Sequence, residues 1–202
     1  MNCIIVCAGD FYEKEFLSKI KDGAFIIAAD AGYSHLKRLG IAPDLFIGDC
    51  DSLGYVPAEN CIKLPCEKDN TDSFEAVSEA VKRGYKEITL FGALGGNRFS
   101  HSIANMQMLL GFRKKGVSVT VCDEKCRIRV IANETAEYGK DMRGTISFFA
   151  AEGECVFDID GLKYPLSEKT VSPDYPLCVS NETVGVDAKV TVRGYAFEIV
   201  EM

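Results

Sequence analysis

The first two thirds of the chain alternate short apolar runs with amphipathic segments. Each apolar run has the length of a buried strand; the runs lie at 4–7, 25–29, 45–47, 61–64, 88–91 and 117–121. Helical spacing predicts helices over about 72–83 and 100–114, and a shorter helix that Gly40 ends. Strands that alternate with helices are typical of a parallel sheet. We therefore expect an N-terminal three-layer α/β domain with a mainly parallel sheet.

After about residue 132 the pattern changes to short strands without a segment of helical length between them. The predicted strands lie at 145–149, 155–157, 177–179, 189–192 and 195–200. Turn-forming sequences such as Glu152-Gly153-Glu154 and Arg193-Gly194 separate them. This pattern predicts a C-terminal antiparallel β-sandwich domain. We place the two domains at 1–135 and 136–202.

Composition narrows the class of protein. The 23 basic and 30 acidic residues give a net charge of -7, which argues against a nucleic-acid partner. No apolar run approaches the roughly 20 residues that span a bilayer, and no signal peptide is recognisable, so we expect a cytoplasmic protein without a membrane partner. Nine cysteines, an odd number, occur with only two histidines and favour reduced core thiols over a disulfide framework or zinc site.

Two aspartates follow a predicted strand in the segment Ile47-Gly48-Asp49-Cys50-Asp51-Ser52. In an extended backbone, Asp49 and Asp51 point to the same side, at the edge of a parallel sheet where ligands usually bind. Mg2+ is normally held by one or two carboxylates together with the phosphates of a substrate. A simple turn explains the same residues equally well, because Asp and Ser are favoured in turns.

A second acidic group, Asp69 and Asp72, precedes the predicted helix at 72–83. Asp72 and Glu75 fit a capping box, in which Asp72 accepts a hydrogen bond from the first turn. Alternatively, Asp69 and Asp72 add carboxylates to a magnesium site from a neighbouring strand end. The two roles are compatible.

A glycine-rich loop connects the strand at 88–91 with the next helix. Gly92, Gly95 and Gly96 would let backbone amides approach phosphate oxygens, and Arg98 offers a guanidinium fork that matches phosphate. The loop is neither a Walker A motif nor a dinucleotide fingerprint. His101 and Asn105 follow on one helix face, although a lone histidine is more often structural than catalytic.

Five ordered motifs together resemble the thiamine pyrophosphokinase family. They are the segments 29–32, 43–52, 69–72, 92–105 and 179–182, and with the β domain they cover nearly the whole chain. The resemblance implies transfer of a diphosphate group from ATP to the hydroxyethyl oxygen of thiamine, giving AMP and thiamine diphosphate. It also implies a homodimer with the thiamine site at the subunit interface.

The resemblance also implies roles for individual residues. Magnesium would be bound by Asp49, Asp51 and Asp72, and these would also be the catalytic residues. The nucleotide would contact seven positions: Asp30, Gly92, Gly95, Gly96, Arg98, His101 and Asn105. Thiamine would contact Asp69, Asp72, Ser180 and Asn181. The N-terminal domain would thus bind ATP and Mg2+, and the C-terminal domain would bind thiamine.

One part of the chain departs from the family pattern Gly-Gly-Arg-x-Asp-His. Here Asn97 separates Gly96 from Arg98, and Ser100 replaces the expected aspartate. Serine can still cap the helix, but it supplies no negative charge. This departure leaves open a sensor that binds nucleotide or thiamine without turnover. Another magnesium-dependent diphosphokinase, for instance one that acts on a pterin, would explain the aspartates and the glycine-rich loop but not Ser180 and Asn181.

Overall fold

The computed structural model describes residues 2–20, 23–50, 60–65, 67 and 69–201, and the chain forms two compact units, 1–124 and 125–202. The first unit contains six strands and four helices among its described residues: β1 (Cys3–Val6), α1 (Glu13–Lys19), β2 (Phe25–Ala29), α2 (Gly32–Arg38), β3 (Leu45–Gly48), β4 (Cys61–Lys63), α3 (Asp72–Lys82), β5 (Glu87–Phe91), α4 (Phe99–Lys114) and β6 (Ser118–Cys122). Each predicted strand and helix of this region is present within one or two residues. The apolar runs specify them because buried strands of a parallel sheet are apolar on both faces.

The sheet of the first unit has the order β6-β5-β1-β2-β3-β4, and every pair is parallel. One face carries a buried cluster that includes Ile4 and Val6 of β1 together with Phe16 of α1 and Leu36 of α2. Helices α3 and α4 contact the strands without contributing to that cluster. Helices therefore cover both faces, and the predicted three-layer α/β architecture is confirmed.

The second unit is an antiparallel β structure. Its described strands are β7 (Cys126–Tyr138), β8 (Thr145–Asp160), β9 (Leu166–Val171), β10 (Asn181–Glu182) and β11 (Ala188–Glu201). β11 pairs with β7 and β8, and β8 also pairs with β9 and β10. The predicted antiparallel class is confirmed.

The two longest strands bend over a shared core. Phe148 and Phe157 both belong to β8, yet their ring centroids are 5.8 Å apart. A straight strand would separate residues nine positions apart by about 30 Å. Gly153 in β8 has φ 59°, and Gly194 lies at a register shift of β11. The chain therefore packs the two halves of β8 face to face, as in a sandwich.

Several sequence predictions in this region were wrong in detail. The turn sequences at Gly153 and Gly194 bend continuous strands instead of separating shorter ones, because a bulge changes direction while the ladder continues. Residues 177–179 form no strand. The second unit begins at residue 125 and includes all of β7, whereas the domain boundary at 135/136 stays a prediction.

Among the described residues, no helix combines the length and apolar character needed to cross a bilayer. None of the eight cysteines in the described part of the chain forms a disulfide.

Candidate active site

A cavity lies at the carboxyl ends of the parallel strands in the first unit, where the strand order reverses. β2 lies on one side of β1 and β5 lies on the other. In open α/β sheets, ligands bind at such a switch point, because the adjacent loops leave it in opposite directions. The cavity has a volume of about 240 Å³, and it is lined by residues 7–9, 29–30, 71–73, 92–93, 95–98, 101 and 105.

The segment after β1 and the glycine-rich loop after β5 are joined by backbone hydrogen bonds. Gly9 N donates to Gly92 O at 2.7 Å, and Asp10 N donates to Leu94 O at 2.9 Å. A Cβ on Gly9 would overlap the carbonyl oxygens of Gly92 and Leu94. The sequence reasoning missed this segment, although Ala8-Gly9-Asp10 directly after an apolar strand is the signal that could have identified it.

The glycine-rich loop forms one wall of the cavity. Gly92, Gly95 and Gly96 have φ angles of 64°, 68° and 70°, a conformation that favours glycine. Arg98 is exposed at the rim and directly precedes α4, whose first turn presents backbone amides. Contrary to expectation, Ser100 does not cap this helix. α4 begins at Phe99, so Ser100 lies inside the helix, and no side chain makes a capping hydrogen bond there. The wall therefore has the backbone freedom and the cation that an anion site requires, and its nucleotide contacts stay a prediction.

The start of α3 forms the opposite part of the cavity wall. Thr71 is the N-cap and accepts a hydrogen bond from Phe74 N at 3.3 Å, while Glu75 accepts one from Asn70 Nδ2 at 2.7 Å. The predicted capping box was therefore wrong by one residue. Because threonine caps the helix, Asp72 lies inside the first turn, lines the cavity and has a buried Oδ1 atom.

The remaining predicted carboxylates follow β2 and β3. Asp30 lines the cavity with φ 47°, and its backbone N donates to Ile47 O at 2.8 Å. Asp49 is partly buried and directly follows β3. Asp51 lies outside the described residues. Asp69 is described and is exposed, outside the cavity lining.

Carboxylate chemistry at this edge of the sheet suits a hard cation. Among the described residues, no group of three or more His, Cys, Asp or Glu side chains is arranged to hold a metal ion. Asp72 nevertheless lines the cavity, and Asp49 directly follows β3 at the same sheet edge. Oxygen donors of this type are those that Mg2+ prefers. The donor chemistry therefore fits Mg2+.

Asn105 has internal partners in addition to its place at the cavity. Its Oδ1 accepts a hydrogen bond from Ser73 Oγ at 2.7 Å, and its Nδ2 donates to Ala93 O at 2.6 Å. Both Ser73 and Asn105 are buried. The residue predicted to contact nucleotide thus connects α3, α4 and the glycine-rich loop, and this positions the cavity walls.

Two histidines lie at or near the cavity. His101 lines it, and burial, with a contribution from Arg98, lowers the pKa of His101. His35 stacks on Phe11 and lies 3.2 Å from Gly9 O through its Nε2. Burial also lowers the pKa of His35. Both imidazoles are therefore neutral at neutral pH, and His35 supports the Gly9 backbone by donating from Nε2.

The predicted thiamine residues of the second unit have different environments. Ser180 is exposed with φ 54°, and its backbone N donates to Ser147 Oγ at 2.9 Å. Asn181 is buried, accepts from Tyr164 N at 3.0 Å and donates to Tyr164 O at 2.8 Å. Asn181 therefore fixes a neighbouring loop, whereas the Ser180 side chain is accessible.

The two walls of the cavity suit the two parts of a metal–phosphate ligand. Backbone amides and Arg98 would complement phosphate oxygens, and carboxylates would hold the cation that accompanies them. Such a cavity at a switch point suits an α/β protein that binds phosphate groups, the class to which phosphotransferases belong.

The comparisons with known proteins agree with that class and narrow it. Residues 16–121 match the family model "Thiamin pyrophosphokinase, catalytic domain", and residues 125–194 match "Thiamin pyrophosphokinase, vitamin B1 binding domain". The chain therefore belongs to the thiamine pyrophosphokinase family.

Individual relatives are similar over most of their length. Thiamine pyrophosphokinase of Bacillus subtilis (strain 168) is 28% identical over 167 residues, which cover 78% of each chain. The crystal structure of the Bacillus subtilis enzyme has a TM-score of 0.89 at 25% identity, covering 100% of this chain and 99% of that one. The crystal structure of thiamin pyrophosphokinase from Geobacillus thermodenitrificans has a TM-score of 0.84 at 25% identity, with coverages of 100% and 98%.

Proposed function

We propose that this chain transfers a diphosphate group from ATP to the hydroxyethyl oxygen of thiamine, giving AMP and thiamine diphosphate. Membership of the thiamine pyrophosphokinase family is the observation that carries the proposal. The cavity at the switch point supports it, because its polar walls are suited to a triphosphate.

In this proposal, ATP lies along the glycine-rich wall. Backbone amides of Gly95 and Gly96 face its phosphates, and Arg98 steadies the α-phosphate end as AMP leaves. Asp30 and His101 line the same cavity and would contact the nucleotide. Asn105 holds the wall in place through Ala93. Phosphoryl transfer depends mainly on alignment and on neutralisation of charge, so no covalent intermediate with the protein is required.

Magnesium is the proposed cofactor, held by Asp49, Asp51 and Asp72. When bound, Mg2+ would neutralise charge on the phosphate oxygens. Asp72 is the residue with the strongest support, because it lines the cavity from the first turn of α3. It would also orient the thiamine hydroxyl and accept its proton, with Asp69 nearby in the sequence. Ser100 stands where the family pattern has an aspartate, so the other carboxylates must supply the negative charge.

A homodimer is the proposed assembly, with thiamine at the interface. Six large apolar side chains are exposed between residues 164 and 186: Tyr164, Tyr175, Leu177, Val179, Val184 and Val186. Exposed apolar side chains of this number are in accord with an interface. Ser180 lies in the same stretch of sequence and would contact thiamine beside the carboxylates of the other subunit, together with Asn181. If sedimentation at micromolar protein concentration detects the monomer and no dimer, this assembly is contradicted. We also propose a cytoplasmic location, in accord with the eight cysteines of the described residues, none of which is paired in a disulfide.

The decisive experiment measures AMP release from ATP and Mg2+ with and without thiamine, and determines the product mass in the same reaction. Thiamine-dependent AMP together with thiamine diphosphate is the expected result. Asp72→Asn should lower turnover by about 100-fold or more, because charge neutralisation and proton acceptance are both lost. Asp141→Asn, at an exposed position of the second unit, is the control and should retain full turnover.

Other outcomes of this assay would contradict the proposal. Binding of thiamine and ATP without AMP release would identify a sensor, as Asn97 and Ser100 allow. AMP release that depends on another alcohol instead of thiamine would identify a different diphosphokinase.

A further inference from the structure

A short segment before β10 places two consecutive side chains at the surface of the second unit. Val179 and Ser180 are both exposed, whereas the residues on either side of them, Cys178 and Asn181, are buried. In a regular strand, successive side chains point to opposite faces of the sheet, so two neighbours would not share one environment. The backbone between Cys178 and Asn181 therefore departs from regular strand geometry.

The contacts of this segment with β8 show the nature of the departure. Asn181 lies opposite Ile146, and the backbone N of Phe148 donates to the carbonyl oxygen of Cys178 at 2.8 Å. Between these two contacts β8 has one residue, Ser147, while the facing segment has two. Two residues opposite one is the arrangement of a β-bulge, which changes the direction of a side chain and is frequent beside active sites.

A side chain, and not a ladder carbonyl, accepts the hydrogen bond from Ser180 in this bulge. The backbone N of Ser180 donates to Ser147 Oγ at 2.9 Å. On its other side Ser147 lies opposite Ile199 of β11. Because backbone groups of successive strand residues point to opposite neighbours, and the N–H of Phe148 points to Cys178, the Ser147 backbone groups point to β11. The Ser147 hydroxyl thus supplies the acceptor that the Ser147 carbonyl does not.

Ser180 is held from both sides in an uncommon conformation. Its φ is 54°, in the left-handed region that residues other than glycine rarely adopt. Ser147 is only 4% exposed, and the following residue, Asn181, makes two hydrogen bonds to the backbone of Tyr164. Such conformations persist only where the surrounding structure fixes them, and they concentrate at sites that bind ligands.

We propose that Ser147 is a positioning residue for thiamine: its buried hydroxyl holds the Ser180 backbone in the left-handed conformation that presents the Ser180 side chain to the substrate. This inference rests on the proposed function, in which Ser180 contacts thiamine. Ser147 is buried and acts only through Ser180. Loss of the Ser147 hydroxyl should therefore weaken the use of thiamine and spare ATP, whose proposed contacts all belong to the first unit.

The first test is steady-state kinetics with thiamine and ATP varied separately. Ser147→Ala should raise the KM for thiamine about tenfold and leave the KM for ATP unchanged, because the Ser180 N–H loses its acceptor and the presenting conformation becomes less populated. Ser147→Thr keeps a hydroxyl and should restore most of the loss. Thr135→Ala is the control, since it removes an exposed hydroxyl that pairs with Thr191, and it should change neither KM. An unchanged KM for thiamine in Ser147→Ala, or an equal rise in both KM values, would overturn the proposal.

A double-mutant cycle tests whether Ser147 acts through Ser180. Ser180→Ala removes the proposed contact with thiamine, so Ser147→Ala should raise the KM for thiamine little further in that background. Additive effects of the two substitutions would show that Ser147 acts by another route, and would overturn the positioning role.

Amide hydrogen exchange of the full chain, resolved by NMR, tests the anchoring without any substrate. The Ser180 amide should exchange about tenfold faster in Ser147→Ala than in the wild-type protein or in Ser147→Thr, because its hydrogen bond is lost. Equal exchange in the three proteins would overturn the proposal. Lack of thiamine-dependent AMP release in the wild-type protein would contradict the proposed function, whereas the exchange rates decide separately whether Ser147 fixes Ser180.

Discussion

Gly9 shows how a single residue without a side chain can shape the candidate active site. Its backbone N binds the glycine-rich loop, its carbonyl oxygen lies 3.2 Å from His35 Nε2, and its Cα faces carbonyl oxygens of that loop. Any side chain would have to displace backbone there, because no flexible atom occupies the space. The segment after β1 and the loop after β5 are consequently fixed relative to each other.

We predict that Gly9→Ala raises the KM for ATP by about tenfold or more, because the added Cβ separates the two backbone segments that line the cavity. Steady-state kinetics with varied ATP check this. Gly111→Ala is the matched control: Gly111 is exposed on α4 with open space around it. Alanine there should stabilise the helix by about 0.5–1 kcal/mol and leave the KM unchanged. Equal KM values for both variants would contradict the role of Gly9.

The contact of His35 with the Gly9 carbonyl depends on the protonation state of the imidazole, and therefore on pH. Burial lowers the pKa of His35, and the charge of Arg38 lowers it further, whereas the Gly9 carbonyl and Glu13 have smaller opposing effects. Its Nδ1 atom is buried and has no hydrogen-bond partner among the described residues. Protonation would place a charged N–H at that buried position. The neutral ring with Nε2–H directed at Gly9 O is therefore the stable form.

We predict that the free energy of unfolding decreases as the pH falls below about 6.5, the ordinary pKa of an unfolded histidine. The unfolded state binds the proton more tightly than the folded state, so acid favours unfolding over this window. Urea titrations at pH 7.5 and 5.5 measure the loss. His35→Gln, which keeps a donor for Gly9 O, should show a smaller loss between the two pH values. An identical loss in this variant would assign the effect to other groups, with His101→Gln as the parallel test.

At the scale of elements, Asn105 joins three parts of the first unit. It lies on α4, binds Ser73 of α3 and binds Ala93 of the glycine-rich loop. Phe74 and Phe112 add a ring contact between the two helices, with centroids 5.3 Å apart. Because the cavity walls come from these elements, their mutual position determines the distance between Asp72 and the loop.

We predict that Asn105→Ala lowers the free energy of unfolding by about 1–3 kcal/mol, because it leaves buried polar groups of Ser73 and Ala93 unsatisfied. The KM for ATP should rise in the same variant. A double-mutant cycle with Ser73→Ala should give a coupling energy of about 0.5–3 kcal/mol. Gln107→Ala, exposed on the same helix, serves as the control. Strict additivity in the cycle would show that the hydrogen bond contributes nothing to stability.

At the scale of the whole molecule, the second unit depends on a buried charge in its bent sheet. Glu198 of β11 is 0% exposed, and it accepts hydrogen bonds from Arg129 and Tyr138 of β7. Burial alone would raise the pKa of Glu198, but the hydrogen bonds and charges of Arg129, with those of Tyr138 and Arg127, hold it below its ordinary value. The carboxylate therefore remains ionised inside the unit.

We predict that Glu198→Ala lowers the free energy of unfolding by about 3–5 kcal/mol, because Arg129 loses its buried partner. Chemical denaturation of the full chain measures this loss. Glu137→Ala provides a matched control on the same two strands, since Glu137 pairs with Lys189 across β7 and β11 but both side chains are exposed. Its removal should change stability little. Similar losses in the two variants would contradict the importance of burial.

The N-terminal elements could be predicted from the sequence because each apolar run is bounded by turn residues, and the central strands β1, β2 and β3 are buried almost throughout. The C-terminal strands were predicted less well. Gly153 and Gly194 have the local signal of a turn, but strand pairing on both sides continues through them as bends. The helix cap at Thr71, in place of Asp72, was also undecidable locally, since both residues can cap a helix.

By itself the sequence determined the order and type of the N-terminal elements, the antiparallel class of the rest, and the family to which the chain belongs. These depend on local periodicity and on residues that are adjacent in the chain. Only the tertiary structure decided that Gly9 packs on the glycine-rich loop, that Asn105 binds Ser73, and that Glu198 is buried with Arg129. Those contacts join residues distant in sequence, and their partners are selected by strand order and packing, which no local pattern specifies.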